Sequence, residues 1–437
     1  MIFSNITIPL LGLVDTAVLG HLDQAYYLGG STVGAMIITF VTWLCGFLRM
    51  STTGLTAQAL GQKDNQKSLL VLLRGLLVAG IVGGTLILLQ SFYLDLSLGL
   101  AGGSEKIQFY AKQYCDIRIW GLPAALSNLV ILGWLLGNHK AKAVMWLLIL
   151  TNLINLSLDL LFVLVFNWQV QGVATATLIA EYSGVILGLT YIVYDKNRIK
   201  RRAVRSLFSV ILSKLIHVKE ALLEKSSLIH YFQLNRDILI RTLCLEVCFV
   251  FITFQGARLG DDVIATNAIL MNFVLLISFG LDGIANATEV LVGKAQGQKD
   301  AMKRNYVVKI ALFWTGVFAL SYSLLFVFAG AFFVGLLTDI PDVLHSTKAY
   351  IHWIIILPIL GCWCYLFDGV FVGLMKTKAM RNSMIIATFG CFFPMWCIFQ
   401  DFGNHGLWAA FSVFLLVRGL SLAWHYYRVI EKQPISV

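Results

Sequence analysis

The stretch GLTAQALGQKDNQKS at residues 54–68 contains the tetrapeptide GQKD, and the same tetrapeptide returns at residues 297–300 within LVGKAQGQKDAMKR. Both copies follow a long apolar segment and precede basic residues. One tetrapeptide match has little weight alone. It gains weight if the two copies hold equivalent places in the pattern of apolar segments, because one structural unit would then occur twice in the chain.

The composition indicates that the chain lies in a lipid bilayer. Hydrophobic residues make up 58% of the 437 positions, charged residues make up 13%, and the mean hydropathy is +0.80. A water-soluble domain could not bury that much apolar surface. Apolar runs of about 20 residues, the length at which a helix crosses about 30 Å of hydrocarbon, recur along the whole chain. The sequence therefore predicts an all-α integral membrane protein.

Twelve transmembrane helices are predicted from these runs. The predicted spans are 2–20, 32–54, 69–93, 111–137, 143–166, 170–194, 237–257, 264–292, 306–337, 348–375, 382–400 and 406–428. The eight cysteines all fall in or beside these segments and lack the paired spacing of a zinc site. Neither a metal nor a disulfide framework is predicted.

The distribution of lysine and arginine predicts the orientation, because these residues accumulate in short cytoplasmic loops. They follow the even-numbered spans, as at Lys63, Lys140, the stretch 196–205 and Arg381, whereas the opposite loops are mainly acidic. Both termini are therefore expected in the cytoplasm. This topology accounts for the net charge of +10, so no nucleic-acid partner is predicted.

The two GQKD copies end the second and eighth predicted spans, so six helices separate equivalent points. We therefore predict two pseudo-symmetric six-helix bundles, a first lobe at 1–194 and a second lobe at 237–437, with the glycine of GQKD ending each helix. Residues 195–236 form a basic cytoplasmic linker, and its stretch SLFSVILSKLIHVKEALLEK is expected to lie along the membrane surface. Such parallel repeats typically place a binding site near the bilayer midplane.

Several stretches spread over the whole chain resemble one transporter family. They are MIFSNITIPLLGLVDTAVLGHLD, FLRMSTTGLTAQALGQKD, LGWLLGN, GVATATLIAEY, GARLGDDVIATNAILM, WCYLFDGVFVG and MRNSM. The sequence resembles the multidrug and toxic compound extrusion (MATE) transporters, specifically their DNA-damage-inducible F (DinF) branch. The resemblance implies a twelve-helix, two-lobed antiporter in the cytoplasmic membrane. It would be a monomer without a cofactor, exporting amphipathic or cationic small molecules while protons or sodium ions enter.

Acidic and amide residues in the first lobe are the main candidates for cation binding. Asp15 interrupts the apolar stretch IPLLGLVDTAVLG, where a charged group facing lipid would cost several kcal/mol. Asn152, Asn155 and Asp159 occur at i, i+3 and i+7 and so share one helix face. They either line a cavity or join neighbouring helices by hydrogen bonds.

The resemblance extends to individual positions of the first lobe. Six residues match the positions at which the family binds its coupling cation: Asp15, Tyr114, Asn128, Asn155, Asp159 and Thr177. We add Glu181, four residues after Thr177, which either joins this cluster or pairs with Arg74 or Arg118. Two carboxylates in one desolvated pocket cannot both ionise cheaply, so the pair is expected to carry a proton.

The second lobe contains a candidate sodium site. Glu246 and Asp368 resemble in position the acidic residues of sodium-coupled relatives, and the neighbouring Tyr365 could supply a further oxygen ligand. The branch resemblance favours protons instead. Asp282 and Glu289 share a face of the eighth span and are either substrate-side charges or packing residues.

Two other function classes were compared. A flippase for lipid-linked oligosaccharides would favour a cavity rich in arginine and lysine, and intramembrane cations are sparse here. An intramembrane enzyme would need a nucleophile with a base or a metal cluster, and the scattered histidines provide neither. The prediction is therefore a transporter and not an enzyme.

Overall fold

The computed structural model describes residues 25–101, 104–199, 224–337 and 341–431. In these ranges all regular structure is helical and no strand occurs, which confirms the predicted all-α class. The helices are α1 (Ala25–Leu44), α2 (Phe47–Gly61), α3 (Asn65–Leu88), α4 (Gln90–Ala101), α5 (Glu105–Arg118), α6 (Leu122–Gly137), α7 (Ala141–Asp159), α8 (Gln169–Ile199), α9 (Lys225–Leu259), α10 (Asp261–Gly297), α11 (Ala301–Leu337), α12 (Pro341–Leu374), α13 (Thr377–Ile385), α14 (Phe393–Phe399) and α15 (Asn404–His425). Short 3₁₀ or π-helical segments join α5 to α6, follow α7 and α15, and flank α14.

Ten helical stretches of the described chain are long and apolar enough to cross a membrane. They coincide with predicted spans two to six and eight to twelve. The seventh predicted span, 237–257, lies within α9. The first predicted span, 2–20, and with it Asp15, lies outside the described residues, as does almost all of the predicted amphipathic helix at 206–225.

The outer faces of these helices carry large apolar side chains that water would not tolerate in such number. Leu88 and Phe328, for example, are 85% and 84% exposed, and similar residues follow on most of the long helices. Exposed apolar bands on helices of membrane-spanning length are typical of surfaces that contact lipid tails.

The described residues belong to two compact units. One unit contains the described residues of 25–56 and 64–232, and the other contains those of 57–63 and 233–431. The predicted lobe boundaries lie at 194 and 237, on either side of the stretch 200–223 that the structure does not describe. They remain predictions.

The two GQKD copies fold into the same turn. In each copy the glycine is the last helical residue, and the lysine two positions later adopts left-handed backbone angles, with φ of 58° at Lys63 and 59° at Lys299. The aspartate then accepts a hydrogen bond at 2.9 Å from the backbone N–H three residues on, which caps the next helix. The glycine therefore ends each helix, as the sequence pattern predicted, and the chain turns at the lysine two positions later.

The glycines are needed for packing. Ala57–Lys63 belongs to the same compact unit as α10, and the ends of α2 and α10 meet there backbone to backbone. A Cβ at Gly61 would clash with the Lys294 carbonyl, and one at Gly297 would clash with the Gln58 carbonyl. The contact is reciprocal between equivalent positions of the two copies, and small residues four apart permit the close approach.

Candidate functional site

The first buried polar cluster lies in the first lobe, where α8 packs against both α5 and α7. Its members Tyr114, Asn155, Asp159 and Thr177 are all buried. Asp159 is the last residue of α7, and a π-helical segment, Leu160–Val165, follows directly. Such local widening of a helix occurs often at functional sites, because it turns side chains and backbone groups out of the regular ladder.

Hydrogen bonds link three of these residues into a chain. With the Asn155 amide nitrogen facing Asp159, it donates to Oδ2 at 3.1 Å, while the amide oxygen accepts from the Thr177 N–H at 3.2 Å and its hydroxyl at 3.1 Å. This orientation satisfies the neighbouring groups better than the reverse one, in which the nitrogen faces the Thr177 hydroxyl. A neutral amide therefore holds a carboxyl group that is fully buried.

A second group of polar contacts lies one helical turn further along α5 and α8. Arg118 donates two hydrogen bonds to Glu181, from Nη1 to Oε2 and from Nη2 to Oε1, both at 2.8 Å. Arg118 also interacts with the Tyr114 hydroxyl. The side-chain amide of Asn128 donates to the backbone carbonyl of Glu181 at 2.8 Å. These contacts connect the predicted residues Tyr114, Asn128 and Glu181.

The structure distinguishes the two partners proposed for Glu181. Arg118 forms the ion pair with Glu181, whereas Arg74 lies 4.0 Å from a different carboxylate, Glu224, at the start of α9. Glu224 is exposed, and hydrogen bonds from Ser227 and Ser226 lower the pKa of its carboxyl group. Asp15, the remaining predicted member of the cluster, lies outside the described residues.

The second lobe buries a carboxylate with very different neighbours. Asp368, on α12, forms short ion pairs through Oδ2 with Arg241 of α9 and Arg418 of α15. The Arg418 guanidinium also lies over the Tyr365 ring, 5.9 Å from its centroid, and the Tyr365 hydroxyl is 2.5 Å from the Ser278 hydroxyl. The predicted residues Asp368 and Tyr365 are therefore together, but around arginines.

Sequence reasoning missed Arg418. It is 2% exposed in the stretch SVFLLVRGLSLAW, where an arginine inside an apolar span was a signal for a buried counter-charge. The third predicted member of this site, Glu246, is buried on α9 within electrostatic reach of Arg241. Of the two open candidates on α10, Asp282 is half-buried and interacts with Tyr365, and Glu289 is buried.

Comparison with known proteins agrees with this architecture. The family model described as MatE matches residues 1–161 and 238–396. DNA damage-inducible protein F of Escherichia coli K12 is 43% identical over 97% of this chain and 89% of its own length. A probable multidrug resistance protein NorM of Acinetobacter baylyi is 24% identical over 94% of this chain and 89% of its own.

Solved structures show the same fold. A crystal structure of the eukaryotic MATE transporter AtDTX14 superposes with a TM-score of 0.84 at 17% identity, covering 100% of this chain and 95% of that one. The predicted twelve-helix architecture and the resemblance to the DinF branch are both confirmed. The chain is a multi-pass membrane protein that belongs to the MATE family of multidrug and toxin efflux transporters.

Proposed function

We propose that this transporter is a proton-coupled antiporter that exports amphipathic or cationic small molecules across the cytoplasmic membrane. Protons bind the first-lobe cluster at Asp159 and Asp15, assisted by Tyr114, Asn128, Asn155 and Thr177. Proton binding from outside favours release of the drug outside, and proton loss to the cytoplasm resets the protein. The lysine-rich loops and both termini face the cytoplasm, and the protein works as a monomer.

The observation that carries this proposal is the setting of Asp159. A carboxylate inside a membrane helix is costly when charged, and this one is fully buried with a neutral amide as hydrogen-bond partner. Such a group can bind and release a proton with a large change in local charge. That change is what a coupling site needs, because the ion must alter the relative stability of two states.

The second lobe supports protons over sodium. Sodium would need the Asp368 carboxylate as an anionic ligand, yet Arg241 and Arg418 already neutralise it. Placing a third cation beside two guanidinium groups is electrostatically unfavourable in a low-dielectric interior. A sodium site built on Asp368, Tyr365 and Glu246 is therefore disfavoured.

One proton per cycle provides useful work. At about 150 mV an inward-moving proton supplies about 3.5 kcal/mol. This free energy corresponds to a concentration gradient of about two to three decades for a neutral exported solute. A cationic solute carries its own charge outward against the potential, so steep export of cations requires a second proton.

The buried arginines do not favour the flippase alternative. A pyrophosphate group would need cations that are available to it, whereas Arg118, Arg241 and Arg418 each bind a carboxylate of the same lobe. In the described part of the chain these three guanidinium groups act as internal counter-charges.

Transport in proteoliposomes tests the proposal. We expect an imposed pH gradient, and not an imposed sodium gradient, to drive efflux of a cationic dye such as ethidium. Asp15→Asn and Asp159→Asn should each abolish this efflux. Asp95→Asn is the matched control, since Asp95 is exposed and pairs only across the surface with Lys112. Efflux driven by sodium alone, or unchanged in Asp159→Asn, would contradict the proposal.

A further inference from the structure

The buried ion pair between Arg118 and Glu181, within the described part of the first lobe, has no role in the coupling scheme. The two terminal guanidinium nitrogens of Arg118 each donate to one carboxylate oxygen of Glu181, both at 2.8 Å. This parallel geometry is the strongest form of an arginine–carboxylate contact. Hydrophobic residues of similar volume are often as stable as such a pair in a protein interior, so its presence calls for a reason other than stability.

The pair sits at a break in a membrane helix. The span Glu105–Gly137 is interrupted by a 3₁₀ turn, Ile119–Gly121, immediately after Arg118. Glu181 binds Arg118, and the hydroxyl of the next residue, Tyr182, donates to the Trp120 carbonyl at 2.9 Å. Two consecutive residues of α8 therefore hold the broken turn.

The ion pair packs directly against the backbone of Gly121, at the 3₁₀ turn. A Cβ added at Gly121 would collide with Glu181 Oε2 and lie 2.9 Å from Arg118 Nη1. Any side chain at position 121 would therefore displace the ion pair. The absence of a side chain at this position keeps the pair closed against the backbone.

The pair also borders the proton-binding cluster. Arg118 lies one turn from Tyr114 on α5 and interacts with its hydroxyl, while Glu181 lies one turn from Thr177 on α8. Thr177 in turn is hydrogen-bonded to Asn155, the partner of Asp159. Other titratable side chains beside this pair include Cys115 and Asp116 on α5 and Tyr182 on α8.

We propose that Arg118 and Glu181 are positioning residues that set the electrostatic field at the proton-binding cluster, without carrying the proton themselves. While they are paired, their charges nearly cancel at Asp159. Removing either charge leaves the other one buried and uncompensated beside the cluster. The inference rests on the proposed proton coupling and assigns Glu181 to the ion pair instead of to the proton-carrying set.

If the pair sets the electrostatic field at the cluster, substitution of Arg118 and substitution of Glu181 should have opposite effects. Arg118→Gln leaves an extra negative charge, which favours protonation of the cluster and moves the pH at half-maximal dye efflux upward. Glu181→Gln leaves an extra positive charge and moves that pH downward. Each shift should be about one pH unit. A pair that only holds helices together would lower activity in both variants without opposite shifts.

The measurement is ethidium efflux from proteoliposomes under a fixed pH gradient, with the absolute pH varied. Lys112→Gln is the matched control, because Lys112 lies on the same helix but is exposed and paired with Asp95 at the surface. Its charge is screened by water, so we expect no shift. Equal shifts in one direction for both buried substitutions, or no shift in either, would overturn the inference.

A charge-reversed pair keeps the test valid if either single variant fails to fold. Arg118→Glu combined with Glu181→Arg retains an ion pair but places the negative charge on α5, next to Tyr114. Because the reversed charges again nearly cancel at Asp159, we expect its half-maximal pH to stay close to the wild-type value, and a shift as large as those of the single substitutions would overturn the inference. The proposed function fails separately, if wild-type efflux does not respond to the pH gradient at all.

Discussion

The two lobes each bury an aspartate within a membrane helix, but they surround it with opposite kinds of neighbours. Asp159 of the first lobe is held by the amide of Asn155, itself hydrogen-bonded to Thr177. Asp368 of the second lobe is held by the guanidinium groups of Arg241 and Arg418. A carboxyl group beside a neutral amide can change its protonation state more readily than one between two arginines, because the guanidinium charges stabilise the anion. The two lobes therefore share an all-helical architecture but differ in the surroundings of their buried aspartates.

The largest expected difference between the lobes concerns stability. Asp368→Asn leaves two buried guanidinium groups without their anion, and breaking a buried pair in this way costs about 3–5 kcal/mol. Asp159→Asn keeps a side chain of nearly the same shape that can still hydrogen-bond to Asn155, so we expect the purified variant to keep most of its stability. Thermal unfolding in detergent measures both, and equal losses of stability would contradict the contrast.

The next prediction concerns the reciprocal contact of Gly61 and Gly297, where the two GQKD copies have the same backbone geometry. Gly297→Ala forces a methyl group against the Gln58 carbonyl, and Gly61→Ala forces one against the Lys294 carbonyl. Overpacking of this kind costs about 1–3 kcal/mol, and we expect similar losses at both positions. The control is Gly84→Ala, since a Cβ there meets nothing within 4 Å. A large loss at only one of the two glycines, measured by thermal unfolding, would show that the contact is not reciprocal in energy.

The smallest expected effect concerns the helix caps of the GQKD turns. Asp64→Ala and Asp300→Ala each remove an N-cap hydrogen bond of 2.9 Å to an exposed helix start. We expect a loss of about 1 kcal/mol in each case. Equal small shifts of the unfolding temperature would extend the equivalence of the two copies from geometry to energy, and a clear inequality would limit it to geometry.

The sequence predicted the parts of this molecule that depend on short-range pattern. Apolar run length located the spans, and the spacing of Asn155 and Asp159 identified the buried face of α7, at whose margin Asn152 is half-buried. Matching GQKD copies located equivalent helix ends, although nothing in the motif indicated that Lys63 and Lys299 would take the left-handed conformation.

The features that the sequence did not predict depend on contacts between residues far apart in the chain. Arg241, Asp368 and Arg418 lie on three different helices, so no spacing in the sequence indicates that they meet. The choice of Arg118 over Arg74 for Glu181 likewise depends on how α5 and α8 pack. Charge type could be read from the sequence, but charge pairing could not.

The most direct test of the contrast between the lobes is proton release from purified protein in weakly buffered detergent when ethidium is added. The account predicts that dye binding displaces a proton from wild type and from Glu246→Gln, and that Asp159→Asn releases none. Undiminished release from Asp159→Asn, or its loss in Glu246→Gln, would place the exchangeable proton in the second lobe and contradict the account.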